Sequence, residues 1–204
     1  FGGEALEGFA FTMLVGVAFA HWWIFRSVDR RGWRVVKLGR EAANWRRVGT
    51  GALLGGVAVG LPGLTLIAIG WLRIEDAPRG DWIVAALATL AVLIPAALWE
   101  ELLTRGYGFT VLEEWLGPRR AIVATSGLFG ALHLQNAGAS MQSVALVTLA
   151  GIFLGSIRVA TQSLYAAWAA HVAWNFVMAG VLHAAVSGVG MDASGYRMAQ
   201  ALHA

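Results

Sequence analysis

Apolar residues come in long uncharged runs, and short clusters of charge separate the runs. From Gly8 to Phe25 eighteen residues carry no charge, enough for a helix to cross a hydrocarbon core about 30 Å thick at about 1.5 Å per residue. The run contains His21-Trp22-Trp23 near its end, where a tryptophan pair suits an interfacial anchor and His21 is expected to be wetted among headgroups. Residues 26–47 then hold eight basic side chains interleaved with Trp33, Val35, Val36, Leu38 and Trp45. That mixture predicts an amphipathic helix or loop on an anionic membrane face, with a solvated linker as the alternative. A second uncharged run, 48–72, predicts a span kinked at Pro62-Gly63, and its glycines 51, 55, 56, 60 and 63 predict close helix contacts. The loop 73–81 leads to a third span from Trp82 to about Leu103. Next come a short interfacial helix, Val111 to Leu116, whose Glu113 and Glu114 are expected to be solvated, and its stop at Gly117-Pro118. No charge occurs from Ala121 to Ile157. That stretch is too long for one span and is broken by Gln135 to Ser140, so it divides into spans at about 121–134 and 141–157. The first is short and is expected to be shielded by its neighbours. A sixth span covers 164–186, and the tail from Asp192, with His203, is expected to fray. The pattern therefore predicts an all-α fold: one polytopic membrane domain over 1–204, about six transmembrane helices, a basic interfacial segment, and a core of four spans at 82–186.

Composition agrees with that reading. Of 204 residues, 58% are hydrophobic and 13% charged, too little charge to cover a soluble domain of this size. The chain has no cysteine, which excludes disulfides and thiolate chemistry. Its net charge of +3 comes from residues placed between apolar runs, so the partner it implies is the lipid bilayer and not nucleic acid. No basic segment precedes the first run, and no signal peptide is expected. Putting residues 26–47 inside places twelve Lys and Arg on the cytoplasmic side against three outside, with both termini outside.

One segment breaks the apolar pattern. Glu100 and Glu101 end a charge-free stretch and are followed by Arg105; carboxylates at a membrane boundary are costly and usually have a task. On a helix, Glu101 and Arg105 share a face and can pair. Glu100 lies about 100° away around the helix and is left free for chemistry. Two more pairs at the same spacing follow, Phe129 with His133 and His171 with Asn175. Three helices can thus turn a glutamate, two histidines and an asparagine into one pocket. A lone histidine in a membrane helix can be a satisfied interhelical hydrogen-bonder, but beside a carboxylate pair that reading weakens.

The pattern Glu100-Glu101-x-x-x-Arg105, Phe129-x-x-x-His133, His171-x-x-x-Asn175, in order on successive apolar segments, resembles the CPBP group. That group holds the type II CAAX prenyl endopeptidases and the bacteriocin-processing and immunity-associated membrane proteins. The resemblance covers roughly Trp82 to Val186. It implies an intramembrane glutamic endopeptidase without a covalent acyl-enzyme, acting on a membrane-associated protein or peptide in maturation or sorting. By this likeness Glu100 is the base that activates water and His133 its partner. His171 and Asn175 stabilise the oxyanion, Glu101 and Arg105 brace the site, and Phe129 supports it. General physical chemistry agrees: a base works best with a pKa near the working pH, and amide and imidazole N–H groups suit an oxyanion hole. No cofactor beyond the water is expected. Three rivals stand beside this reading. Glu100, His133 and His171 could ligate zinc, although no HExxH helix occurs. The fold could serve as a non-catalytic immunity factor or scaffold. Intramembrane Glu and His could also relay protons in a transporter, against which no internal repeat is evident. His183, about 18 Å along the helix from His171, falls outside the site. The basic-residue bias puts the site toward the cytoplasmic half of the membrane, and the Ala, Gly, Arg and Trp-rich usage points to a bacterial cytoplasmic membrane.

Overall fold

The computed structural model describes residues 3–76, 80–190 and 196–200. Helices α1 (Gly3–Ser27) and α2 (Trp45–Ala68) are followed by strand β1 (Leu72–Asp76) and helices α3 (Trp82–Arg105), α4 (Tyr107–Leu116), α5 (Pro118–Leu132), α6 (Met141–Thr161) and α7 (Leu164–Phe176). The last helix continues through a π-turn at Val177–Val181, and strand β2 is Tyr196–Gln200. Among the described residues five helical stretches are long and apolar enough to cross a membrane: 5–27, 45–68, 82–116, 141–161 and 164–181. The protein is an all-α polytopic membrane bundle. The short span foreseen at 121–134 is α5, whose 15 residues reach about 22 Å, and it is packed between α4 and α6.

The helices start where the sequence offers caps. Asn44 accepts from the backbone N–H of Arg46 and Asp81 from that of Ile83, each satisfying a donor that the first turn leaves orphaned. Ser140 and Ser143 form a reciprocal capping box at α6, and Ser163 caps α7. Pro118 occupies the first turn of α5, where its missing N–H costs nothing.

Several expectations need correction. The second span is displaced from 48–72: α2 starts at Trp45, runs through Pro62 and ends at Ala68, and Leu72 already belongs to a strand. Of the two forms expected for the basic stretch, amphipathic helix or loop, it takes the loop. After α1 it is a loop with one 3-10 turn at Arg40–Ala42, and it buries Val36 and Ala42. Its carbonyls at Lys37, Leu38 and Ala42 accept from the Leu164 N–H, the Tyr165 hydroxyl and the Ser163 hydroxyl. A buried loop must find partners for its backbone, and the start of α7 supplies them. Glu114 is not merely solvated, since it ion-pairs with Arg31. The tail foreseen as frayed contributes β2, which pairs antiparallel with β1 from Leu72↔Gln200 to Asp76↔Tyr196. An Arg197–Glu75 ion pair at 2.7 Å crosses the two strands. The parts of that tail at 191–195 and 201–204, with His203, lie outside the described residues.

Helix α3 touches α1, α4, α5 and α7. Two indole N–H groups tie it to α7: Trp168 donates to the Ile94 carbonyl and Trp82 to that of Gly180, both at 2.9 Å. Helix α7 is held on its other side by α2 at backbone distance. A Cβ on Gly51 or Gly55 would lie 2.0 Å from the carbonyl oxygen of Ala166 or Ala170, so only glycine admits this approach. A Cβ on Gly63 would lie 2.8 Å from the Leu182 side chain, whereas Gly56 faces open space. The glycine series thus divides by helix face.

Gly55→Ala is therefore expected to lower stability by about 1–3 kcal/mol, whereas Gly56→Ala leaves it unchanged within about 0.5 kcal/mol. Thermal unfolding of the two variants in detergent compares them directly.

Candidate active site

The last turn of α3 carries Glu100, Glu101, Thr104 and Arg105. Glu101 and Arg105 are fully buried and pair at 3.0 Å with the predicted i, i+4 spacing. The guanidinium also donates to Thr104 Oγ1 at 2.8 Å and to the Gly151 carbonyl of α6 at 3.0 Å. Its planar fork suits several acceptors at once, and it lies 4.4 Å over the ring of Phe129, a cation–π contact in a place without water. The same ring meets His133 and His171 edge-on, with centroids 4.6 and 5.9 Å apart. Phe129 is thus the apolar partition between the arginine and both imidazoles.

His171, in α7, joins the two glutamates. Its Nδ1 lies 2.9 Å from Glu101 Oε1 and its Nε2 lies 3.8 Å from Glu100 Oε2. Glu100 keeps partial access, its side chain 18% exposed against 0% for Glu101. The neighbouring carboxylates thus divide: one is locked, the other open. His133 lies at the C-terminal end of α5. It follows the last residue of α5 and begins a 3-10 turn, with Nδ1 2.8 Å from the Phe129 carbonyl. His133, His171 and Asn175 line one cavity of about 650 Å³ together with Phe129, Trp174 and Met178. The loop at 185–188 and the turn at 136–139 form part of its wall. Among the described residues, no three His, Asp or Glu side chains converge as a metal site requires. His183 stacks on Tyr196 with centroids 4.3 Å apart and takes no part in the cluster.

Two supporting groups escaped the sequence reading. His21 is not wetted: it is buried, donates Nδ1–H to the Val17 carbonyl at 2.8 Å and accepts the Tyr107 N–H on Nε2 at 3.1 Å. It thereby caps α4, the helix that follows the turn carrying Glu100 and Glu101. Glu113 is not a solvated face residue either. It takes the buried guanidinium of Arg158 at 3.0 Å, which also donates to Thr110 at 2.9 Å and lies 4.1 Å over Phe109. This second arginine staple fastens α4 to α6. A lone arginine between two apolar spans was the available signal, but no local spacing names its partner.

Residues 82–177 match the family model described as Type II CAAX prenyl endopeptidase Rce1-like. Through this stretch the chain is similar to the Rce1-like family. The matched region runs from the start of α3 to the end of α7 and contains all seven motif residues, whereas α1 and α2 lie outside it. No curated protein and no solved structure matches the chain. The Rce1-like family is a family of proteases, so the chain carries the motif set of a hydrolase family in an integral membrane bundle.

Arg105→Ala leaves Glu101 as a buried, uncompensated carboxylate. It is expected to destabilise the fold by about 3–5 kcal/mol, read as a large drop in the thermal midpoint in detergent. A normally stable variant contradicts the role given to this pair.

Proposed function

We propose that this Rce1-like protein is an intramembrane endopeptidase that cleaves a peptide bond in a membrane-associated protein or peptide, with Glu100 as the base that activates water. The observation that carries the reading is the unequal fate of the two adjacent glutamates. Glu101 is committed to Arg105, while among the described residues no arginine or lysine pairs with Glu100, which faces the imidazole of His171 at 3.8 Å. A carboxylate held near two imidazoles and partly open can take a proton from a bound water. The hydroxide adds to the carbonyl carbon, and Glu100 returns the proton to the leaving amine. Oxyanion charge needs donors fixed in advance, and the Asn175 amide on the cavity wall is one of the right type. The chemistry asks for a water and no other cofactor.

The cavity supports a substrate with apolar character, since Phe129, Phe153, Leu154, Trp174 and Met178 dominate its lining. Such a segment comes from a membrane-associated chain, consistent with a role in maturation or sorting. The excess of basic residues around the C-terminal end of α3 supports an orientation with the site in the cytoplasmic half of the membrane.

Glu100→Gln keeps the shape and removes the base. Turnover is expected to fall by about 10²–10⁴-fold with an unchanged thermal midpoint. The check compares processed membrane proteins in cells carrying wild type or variant, and unaltered processing removes Glu100 from this role.

A further inference from the structure

Hydrogen-bond chemistry at His171 goes further than the division of labour implied by the motifs. Glu101 Oε1 receives Arg105 Nη1 at 3.0 Å and faces His171 Nδ1 at 2.9 Å. A carboxylate paired with arginine is ionised and can only accept, so the proton between Glu101 and His171 resides on Nδ1. In a neutral imidazole the other nitrogen then carries the lone pair, and Nε2 is the nitrogen that faces Glu100. We infer that Glu101 is a positioning residue that fixes His171 in the Nδ1–H tautomer, making His171 an acceptor that holds the attacking water and not a donor to the oxyanion. This rests on the peptidase reading above and assigns the regulation of its water.

The geometry of the gap fits. Glu100 Oε2 and His171 Nε2 are 3.8 Å apart, too far for a direct hydrogen bond but close enough for one water to give each a hydrogen bond of ordinary length. A water with both hydrogens engaged in this way presents its oxygen lone pairs outward. As an O–H bond breaks, the proton goes to Glu100 Oε2 and the oxygen forms its bond to the substrate carbonyl carbon. The second O–H stays on His171 Nε2. When the C–N bond breaks, the proton on Glu100 passes to the amine nitrogen, so the products are a carboxylic acid and an amine. His133 follows the same rule: its Nδ1 is engaged by the Phe129 carbonyl, which can only accept, and its Nε2 is again the lone-pair nitrogen. Both imidazoles thus bring acceptors to the site, and the donor to the oxyanion is the Asn175 amide. A second carboxylate behind an imidazole also strengthens Nε2 as an acceptor.

Nitrogen-15 spectra of the full chain, labelled at histidine and held in lipid nanodiscs at a pH where the rings are neutral, decide the tautomer. His171 is assigned by loss of its signals in His171→Gln. The expected spectrum shows His171 protonated on Nδ1 and bare on Nε2. Glu101→Gln puts a neutral amide oxygen in place of the ionised one that Arg105 Nη1 and His171 Nδ1 share, so the hold on the Nδ1–H tautomer weakens and Nε2–H signal appears. On a fluorogenic single-span peptide that the wild type cuts, kcat of this variant is expected to fall by about 10²–10⁴-fold, as for an imidazole held in the wrong tautomer, with KM unchanged. His171 bearing its proton on Nε2 in the wild type overturns the inference, as does a Glu101→Gln protein that keeps both tautomer and turnover. If Glu101→Gln does not fold, the wild-type spectrum alone decides. The spectra need no activity, so a wild-type rate in Glu100→Gln sinks the peptidase reading separately from the tautomer.

Discussion

The ion pair between Glu101 and Arg105 organises this membrane bundle. Both groups are fully buried, and neither could remain so without the other, because the loss of one partner leaves a bare charge where water cannot follow. Each partner also reaches beyond the pair. Arg105 takes the Gly151 carbonyl and covers Phe129, so α3 is fixed to α6 and α5. Glu101 takes His171, so α3 is fixed to α7. One buried pair on a single helix turn therefore sets the relative positions of four helices. The neighbouring carboxylate is left outside this pair, partly open and facing His171 at 3.8 Å.

The remaining packing serves that arrangement from outside the matched region. α2 presses on α7 through Gly51 and Gly55 at backbone contact, one turn apart and in register with Ala166 and Ala170. His171 directly follows Ala170, so the depth at which the imidazole enters the bundle depends on the absence of a side chain on another helix. On the opposite flank, α1 delivers His21 to the first N–H of α4, and the loop after α1 accepts the first donors of α7. The first two helices carry no motif, yet they hold the elements that do.

What the sequence made legible is what repeats at short range. Apolar runs announced the spans, and Glu101 with Arg105 shares a helix face by spacing alone, which the structure turns into a 3.0 Å contact. The three motifs could be read as one cluster because each pair sits one helix turn apart. Contacts between distant segments gave no such sign. His21 meets Tyr107 across 86 positions, Arg158 meets Glu113 across 45, and Arg197 meets Glu75 across 122. A histidine beside two tryptophans looks interfacial, and two glutamates on a short helix look solvated, until the tertiary partner is known. The pairing of β1 with β2 was hidden for the same reason. Hydrogen-bond roles lie deeper still: which nitrogen of His171 carries the proton follows only from its facing an ionised carboxylate.

The central claim is that a water, and not a side chain, attacks the peptide carbonyl, with Glu100 moving only protons. Multiple-turnover cleavage in ¹⁸O-water, followed by mass analysis of the product and of the peptide containing Glu100, tests this most directly. The account predicts ¹⁸O in the new product carboxylate, none in Glu100, and no acyl adduct on the protein after acid quench. Label accumulating in the Glu100 carboxylate, or a trapped acyl-enzyme, contradicts it.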